Sequence, residues 1–322
     1  LNHEGAWSQS ASEESRFTIS GTLDNSHGTI EAQRLALNSG SLINQYGRLV
    51  SLDGTAQHWQ IAGNLNNTRG ELGSNGDLAL DASRLINQNG TLVSQAALTV
   101  SAERDIDNAA GQLLAGKRLT LNTAAAIDNR GGTLNGGELK MTMQQLHNAH
   151  GSVISQGALN LASQQDLDNR QGMIGAGGRL TITTERAWHN QPGTAQGETE
   201  LSVSAQNIDN AGGRLLSGQR LALNARNALD NRNGEIGGET LRLIAGRIDN
   251  SNGRIIGQRS LTLEARQALQ NTLGLLAAGK QLDLAAQRFN NAEGRIVAEQ
   301  DHKLNAQQAR DNTGGRGEAG EG

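Results

Sequence analysis

The chain has 322 residues, 42 of them glycine, with one proline, no cysteine and only 2% aromatic side chains. Its 28 basic and 32 acidic residues nearly balance at a formal charge of −4, which supplies no general attraction to nucleic acid or to an anionic membrane. The lack of cysteine excludes disulfides and thiolate metal sites, and no apolar run approaches the roughly 20 residues of a membrane-spanning helix.

One motif runs along the whole length: an aliphatic residue, one residue, Asn, two residues, Gly, one residue, and a second aliphatic residue. Leu23-Asp24-Asn25-Ser26-His27-Gly28-Thr29-Ile30 is an early copy and Ile106-Asp107-Asn108-Ala109-Ala110-Gly111-Gln112-Leu113 a later one. The Asn recurs as Asn2, Asn25, Asn44, Asn67, Asn87, Asn108, Asn129, Asn148, Asn169, Asn190, Asn210, Asn231, Asn250, Asn271, Asn291 and Asn312. Each has Gly three residues later, and the intervals run from 19 to 23. A period in this range marks a solenoid rather than the two or three globular domains that length alone suggests. Hydrophobic residues make up 35% of the chain, thin for a globule but enough for a core renewed in every repeat.

In the repeat at Asn108, Ile106 lies two before the Asn, Leu113 five after it, and Leu119 and Leu121 eleven and thirteen after it. Leu98 with Val100, Leu159 with Leu161, Leu221 with Leu223 and Leu282 with Leu284 repeat the last pair. A spacing of 2 is a strand with one buried face, and the 3.6 period of a helix appears nowhere. The reading is all-β: a right-handed parallel β-helix of about 15 coils of 19–23 residues, with three short strands per coil. Residues 1–305 read as one continuous array. Residues 306–322 read as a frayed, Gly-rich end, because the aliphatic slots fail after Leu304. Coils stacked about 4.8 Å apart would make a rod of about 70 Å. The repeat is already running at Leu1-Asn2 and still running at Asn312, and no signal peptide is recognisable, so the sequence reads as a piece of a longer polypeptide.

Alternation orients the corner. If Ile106 points in, Asp107 points out and Asn108 points in, where stacked amides would form a ladder from Asn25 to Asn291. The Gly is read as supplying positive φ. Seven after the Asn stand Ala32, Ser51, Ser74, Ser94, Ala115, Gly136, Ser155, Ala176, Gly197, Ser217, Gly238, Gly257, Ala278 and Ala298, a second, inward corner with room only for a small side chain. The two 23-residue units carry late aromatic pairs, Phe17-x-Ile19 and Trp59-x-Ile61, which implies a wider loop before the pair's strand. The unit at Asn190 has Trp188 and Ala195 where neighbours have Leu or Ile, which implies a volume swap within one coil.

Candidate chemistry is sparse. An Asp precedes the Asn at 24, 107, 128, 168, 209, 230, 249 and 311. Asp209, Asp230 and Asp249 would stack as a calcium or sugar-cleaving site, or as a solvated edge neutralised by Arg226, Arg232 and Arg247. No interval exceeds 23, which leaves little chain to wall a catalytic cleft, and the edge reading is preferred. Among His3, His27, His58, His147, His150, His189 and His302, no third ligand stands at metal spacing. Nothing resembles a nucleophile elbow, and Gly175-Ala176-Gly177-Gly178 has no helix after it to make a phosphate loop. Arg254, Arg259, Arg266, Arg288 and Arg295 form a locally basic stretch, interleaved with Glu264, Asp283 and Glu293 as on an ordinary mixed surface. No catalytic residue, metal ligand or cofactor is assigned.

The pattern Leu-Asp-Asn-x-x-Gly-x-Leu, then a small residue, then Leu-x-Leu, resembles the haemagglutinin repeats of filamentous haemagglutinin-type exoproteins, over Leu1 to about Leu304. That group includes the contact-dependent growth inhibition effectors of Gram-negative bacteria. The resemblance implies a non-enzymatic filament shaft of a secreted or cell-surface protein, exported unfolded through a partner outer-membrane transporter. Such a shaft presents an adhesive or receptor-binding segment or delivers a C-terminal toxin. Two alternatives are a rod surface that itself binds a glycan or a host or bacterial receptor, and a polysaccharide lyase or hydrolase.

Overall fold

The computed structural model describes residues 5–319. All regular structure among them is strand, from Ala6–Asp24 to Arg316–Ala319. The chain divides into two compact units, Leu1–Ser163 and Gln164–Gly322. Each is a parallel β-solenoid.

Beside a column of Leu78, Leu98, Leu119, Leu139 and Leu159 in the first unit and of Leu180 to Leu282 in the second, both units are built from three further inward columns, because alternation leaves every second side chain facing the centre of the coil. In the first unit, Leu72, Leu92, Leu113, Leu134 and Val153 stack in parallel register. Leu80, Val100, Leu121, Met141 and Leu161 form a second column, and Leu85, Ile106, Ile127 and Leu146 a third. In the second unit the columns are Ile174 to Ile296, Ile182 to Leu284, and Leu167 to Phe289. These side chains are almost wholly shielded from solvent. Each buried Leu or Ile contributes about 1.5–3 kcal/mol, so a thin core gains from repetition what it lacks in width.

The corners between columns take small side chains. All fourteen residues of the second corner are buried. A Cβ on Gly197 would come within 2.1 Å of the Glu200 carbonyl oxygen, and one on Gly257 within 2.2 Å of that of Ser260. A third corner of the same kind lies beyond the Leu-x-Leu pair. It holds Ala82, Ala102, Thr123 and Ser163 in the first unit, with the larger Met143 in one coil, and Thr184, Ala205, Ala225, Ala245, Ala265 and Ala286 in the second. Hydroxyls here cap bent backbone: Thr123 donates to the Arg104 carbonyl, Ser163 to that of Gln144 and Thr184 to that of Gln165.

The 23-residue coil at Asn44 places its extra residues at the second corner, in residues 52–56 between Ser51 and the strand Gln57–Asn66. Trp59 then lies in register with Leu80, and Ile61 with Ala82. Gln57, in register with Leu78, takes the first inward slot. Its Nε2 donates to the Thr55 hydroxyl at 2.8 Å, and its Oε1 accepts from the Leu35 amide at 3.3 Å. At the C-terminal end, strand pairing continues through Asp311 and Ala319, with most described side chains beyond Leu304 exposed. Asn2 and His3 lie outside the described residues, as does the side chain of His302.

Candidate functional site

The Asn corner is the most ordered polar feature in either unit. Asn25, Asn44, Asn67, Asn87, Asn108, Asn129 and Asn148 in the first unit have no solvent exposure, nor do Asn169, Asn190, Asn210, Asn231, Asn250, Asn271 and Asn291 in the second. Each Nδ2 donates to the Oδ1 of the next Asn. The run is 2.7 Å from Asn25 to Asn44, 2.8 Å to Asn67, 2.7 Å to Asn87, 2.7 Å to Asn108, 2.8 Å to Asn129 and 2.7 Å to Asn148. The second unit repeats it from Asn169 through Asn312 at 2.7–2.8 Å. The same Nδ2 also reaches two carbonyls: from Asn87, that of Gly90 at 3.1 Å and that of Gln112 in the following coil at 3.1 Å. Each amide thus closes its own turn and joins two coils.

The corner Gly is required for a different reason from the one the sequence suggests. Positive φ belongs to the residue before it: His27 at 57°, Tyr46 at 54°, Arg69 at 56° and Asn252 at 56°. The Gly itself lies under the preceding coil. A Cβ on Gly111 would stand 2.1 Å from the Asn87 carbonyl oxygen and 2.7 Å from Asn108 Oδ1, and Gly253 is as confined against Asn231. Close approach, not left-handed backbone, excludes every other residue type.

The Asp before the Asn is part of the turn. Its Oδ1 accepts the backbone N–H two residues on, as in Asp24 from Ser26 at 2.9 Å, Asp168 from Arg170 at 2.9 Å and Asp249 from Ser251 at 3.0 Å. The neutralising cation comes mainly from that same position: Arg130 pairs with Asp128, Arg170 with Asp168 and Arg232 with Asp230. Burial alone would raise the Asp128 and Asp168 carboxyls. Hydrogen bonds from Arg130 and Arg170, with the guanidinium charges, hold both below the usual range. Asp209 has no such arginine, and burial, reinforced by the charge of Asp230, pushes it up. Arg226 and Arg247 make no ion pair with this column.

Outside each corner, the Gly column floors a shallow groove between the residue before it and the residue after it. His27, Tyr46 and Arg69 wall one such groove, facing Thr29, Arg48 and Glu71. Arg254, Leu273, Arg295 and Arg316 line another.

A model of the haemagglutinin repeat matches seven times, over residues 14–58, 60–131, 103–140, 134–171, 175–233, 236–272 and 260–316. The chain belongs to the haemagglutinin-repeat family. No curated protein and no solved structure matches it.

In this haemagglutinin-repeat chain the polar residues singled out from sequence are dispersed rather than convergent. Asp209, Asp230 and Asp249 do fall in one register column. However, each carboxylate is already held by a turn amide or an arginine. His58 pairs with Asp81 at 2.7 Å, and His27 stacks on Tyr46. Among the described residues, no group of three or more His, Asp or Glu is arranged to hold a metal ion. No helix among them is long and apolar enough to cross a membrane. Sequence reasoning missed Gln57, the hydroxyls of the third corner and the Tyr46 groove. The third corner does carry a signal, since Ala, Ser or Thr stands two residues beyond most of the Leu-x-Leu pairs.

Proposed function

We propose that the chain is the shaft of a large secreted or cell-surface exoprotein of a Gram-negative bacterium. It acts as a non-enzymatic spacer that presents an adhesive segment or delivers a C-terminal toxin. The observation that carries this reading is the unbroken amide ladder within each unit, which joins coil to coil.

A chain without cysteine can pass unfolded through a partner outer-membrane transporter without forming disulfides on the way. Each emerging coil then finds open strand edges and an unpaired Asn amide on the coil before it, so folding proceeds by templating. Removal of residues 67–128, three coils from Asn67 to the residue before Asn129, tests the reading. Small-angle scattering should show a rod about 14 Å shorter with an unchanged cross-section. A globular scattering profile for the parent chain would overturn it.

A further inference from the structure

Within the second unit, departures from the repeat gather at one joint, between the coil of Asn190 and that of Asn210. Besides the strands, neighbouring coils are tied at the Asn corner, in the aliphatic columns and at the small-residue corner. At the Asn corner, Gly212 donates its N–H to the Arg232 carbonyl at 2.8 Å, and Asn233 to that of Ser251 at 3.1 Å. Pro192 holds the equivalent position and has no N–H to send to the next coil. In the first aliphatic column, Ile236 stands against Leu215 and Ile255 against Ile236, but Leu215 stands against the single methyl group of the buried Ala195. At the small-residue corner, Ser94 donates to the Gly76 carbonyl of the preceding coil at 2.8 Å, and Ser155 to that of Gly137 at 3.1 Å. Ser217 holds the same place, in register with Gly197, and its buried hydroxyl has no partner among the described residues. The other buried side-chain atom of this unit without a described partner is Trp188 Nε1, in register with Ile208 across the same joint.

We propose that this joint is the yield point of the second unit, where two coils part while the coils on either side stay folded. Solenoid coils touch only their neighbours, so stability is a sum over joints, and the array opens where one joint falls short. A buried donor without an acceptor has given up water and gained nothing in return. The alanine forfeits the dispersion contacts of a full aliphatic chain. What still ties the two coils is the Asn190–Asn210 amide at 2.8 Å, the hydrogen bond from Gln191 to Asp209, and the strand pairing itself. The corner amides fix the register in which the coils close again. A bend or load on the unit is then taken up at one joint, and the columns within the flanking coils stay packed.

Coil pairing of this kind is independent of the shaft reading. Native-state hydrogen exchange of the whole chain, in urea below its unfolding transition, tests the proposal. The amides of Asn190, Arg214, Gly218 and Arg220 cross the joint, donating to the carbonyls of Asp209, Gly193, Gly197 and Thr199. Those of Asn250, Arg254 and Arg295 cross joints without these departures, donating to Gln270, Gly234 and Gly274. The first set should exchange about tenfold faster than the second, or more. Fraying from the C-terminal end would give the opposite order. Pro192→Asn restores the N–H with a residue type that takes the left-handed position at 89, 233 and 252. Ser217→Ala removes the orphaned hydroxyl from a corner that holds alanine at 176 and 278. Each variant should slow the first set severalfold and leave the second unchanged. Equal or slower exchange of the first set in the parent chain overturns the proposal. So does a first set whose exchange neither variant slows.

Discussion

Two coils, one in each unit, bury a tryptophan, and they do so differently. Trp59 belongs to a 23-residue coil, and its Nε1 donates to the Leu35 carbonyl at 2.8 Å. The two extra residues at 52–56 move Gln57 into the first inward slot, and the polar atoms brought inside all find partners. Trp188 belongs to a coil of ordinary length. It takes the place of an aliphatic residue in register with Leu167 and Ile208, and its Nε1 has no partner among the described residues. The same coil reduces Leu or Ile to Ala195, which is fully buried, and has Pro192 at the corner position where other coils use a left-handed residue. Proline has no N–H to give, whereas His27, Ala110 and Asn252 donate theirs to the next coil at this point. An indole is therefore accommodated by adding chain in one case and by removing volume in the other, and only the first satisfies its N–H.

The largest expected difference comes from removing that N–H. Trp59→Phe should cost about 2–4 kcal/mol, because it leaves the buried Leu35 carbonyl unpaired and opens a cavity. Trp188→Phe loses similar volume but also removes an orphaned donor, so it should cost about 1 kcal/mol or less. Denaturant unfolding of both variants makes the comparison, and equal losses would erase the distinction. Next in size is Ala195→Leu, which should destabilise by about 1–3 kcal/mol through overpacking. Combining it with Trp188→Leu should restore most of that loss. A double variant no more stable than Ala195→Leu alone would show that the two positions do not share the volume.

The smallest effect separates Asp168 from Asp209 within the second unit. Asp168 is held below its usual range, so its stabilising contribution is complete above the unfolded-state value and is lost as pH falls through the folded value. Asp209 is raised, so the folded state holds its proton more tightly, and its contribution is lost as pH climbs from the unfolded value through the folded one. Asp168→Asn should therefore lower the unfolding temperature at pH 7, whereas Asp209→Asn should leave it unchanged or slightly higher. Solvent screening keeps each effect below about 1 kcal/mol. A matching fall in both variants would contradict the assignment.

The same contrast explains what could be read from sequence. The inner columns are legible because their residues, such as Leu113, Leu119 and Leu121, obey a local period of 2 within a longer period of 19 to 23. The reason for Gly111 is not legible, because the atom it must avoid is the Asn87 carbonyl oxygen, one coil earlier. Gln57 is hidden for a related reason: an inserted pair of residues moves the register, and a polar residue then fills a slot that composition assigns to Trp59. The Tyr46 groove depends on three residues some 20 positions apart, which meet only once the coils are stacked.

The central claim is that the Asn ladder locks adjacent coils, and native-state hydrogen exchange of Asn108→Ala tests it most directly. That substitution leaves Asn87 Nδ2 without its 2.7 Å acceptor and Asn129 Oδ1 without its 2.8 Å donor. The amides of Gly90 and Gly111, and of Asn87 and Asn129, should then exchange at least tenfold faster, a loss of about 1.4 kcal/mol or more of local stability, while amides several coils away keep their protection. Unchanged protection at those four amides would contradict the account.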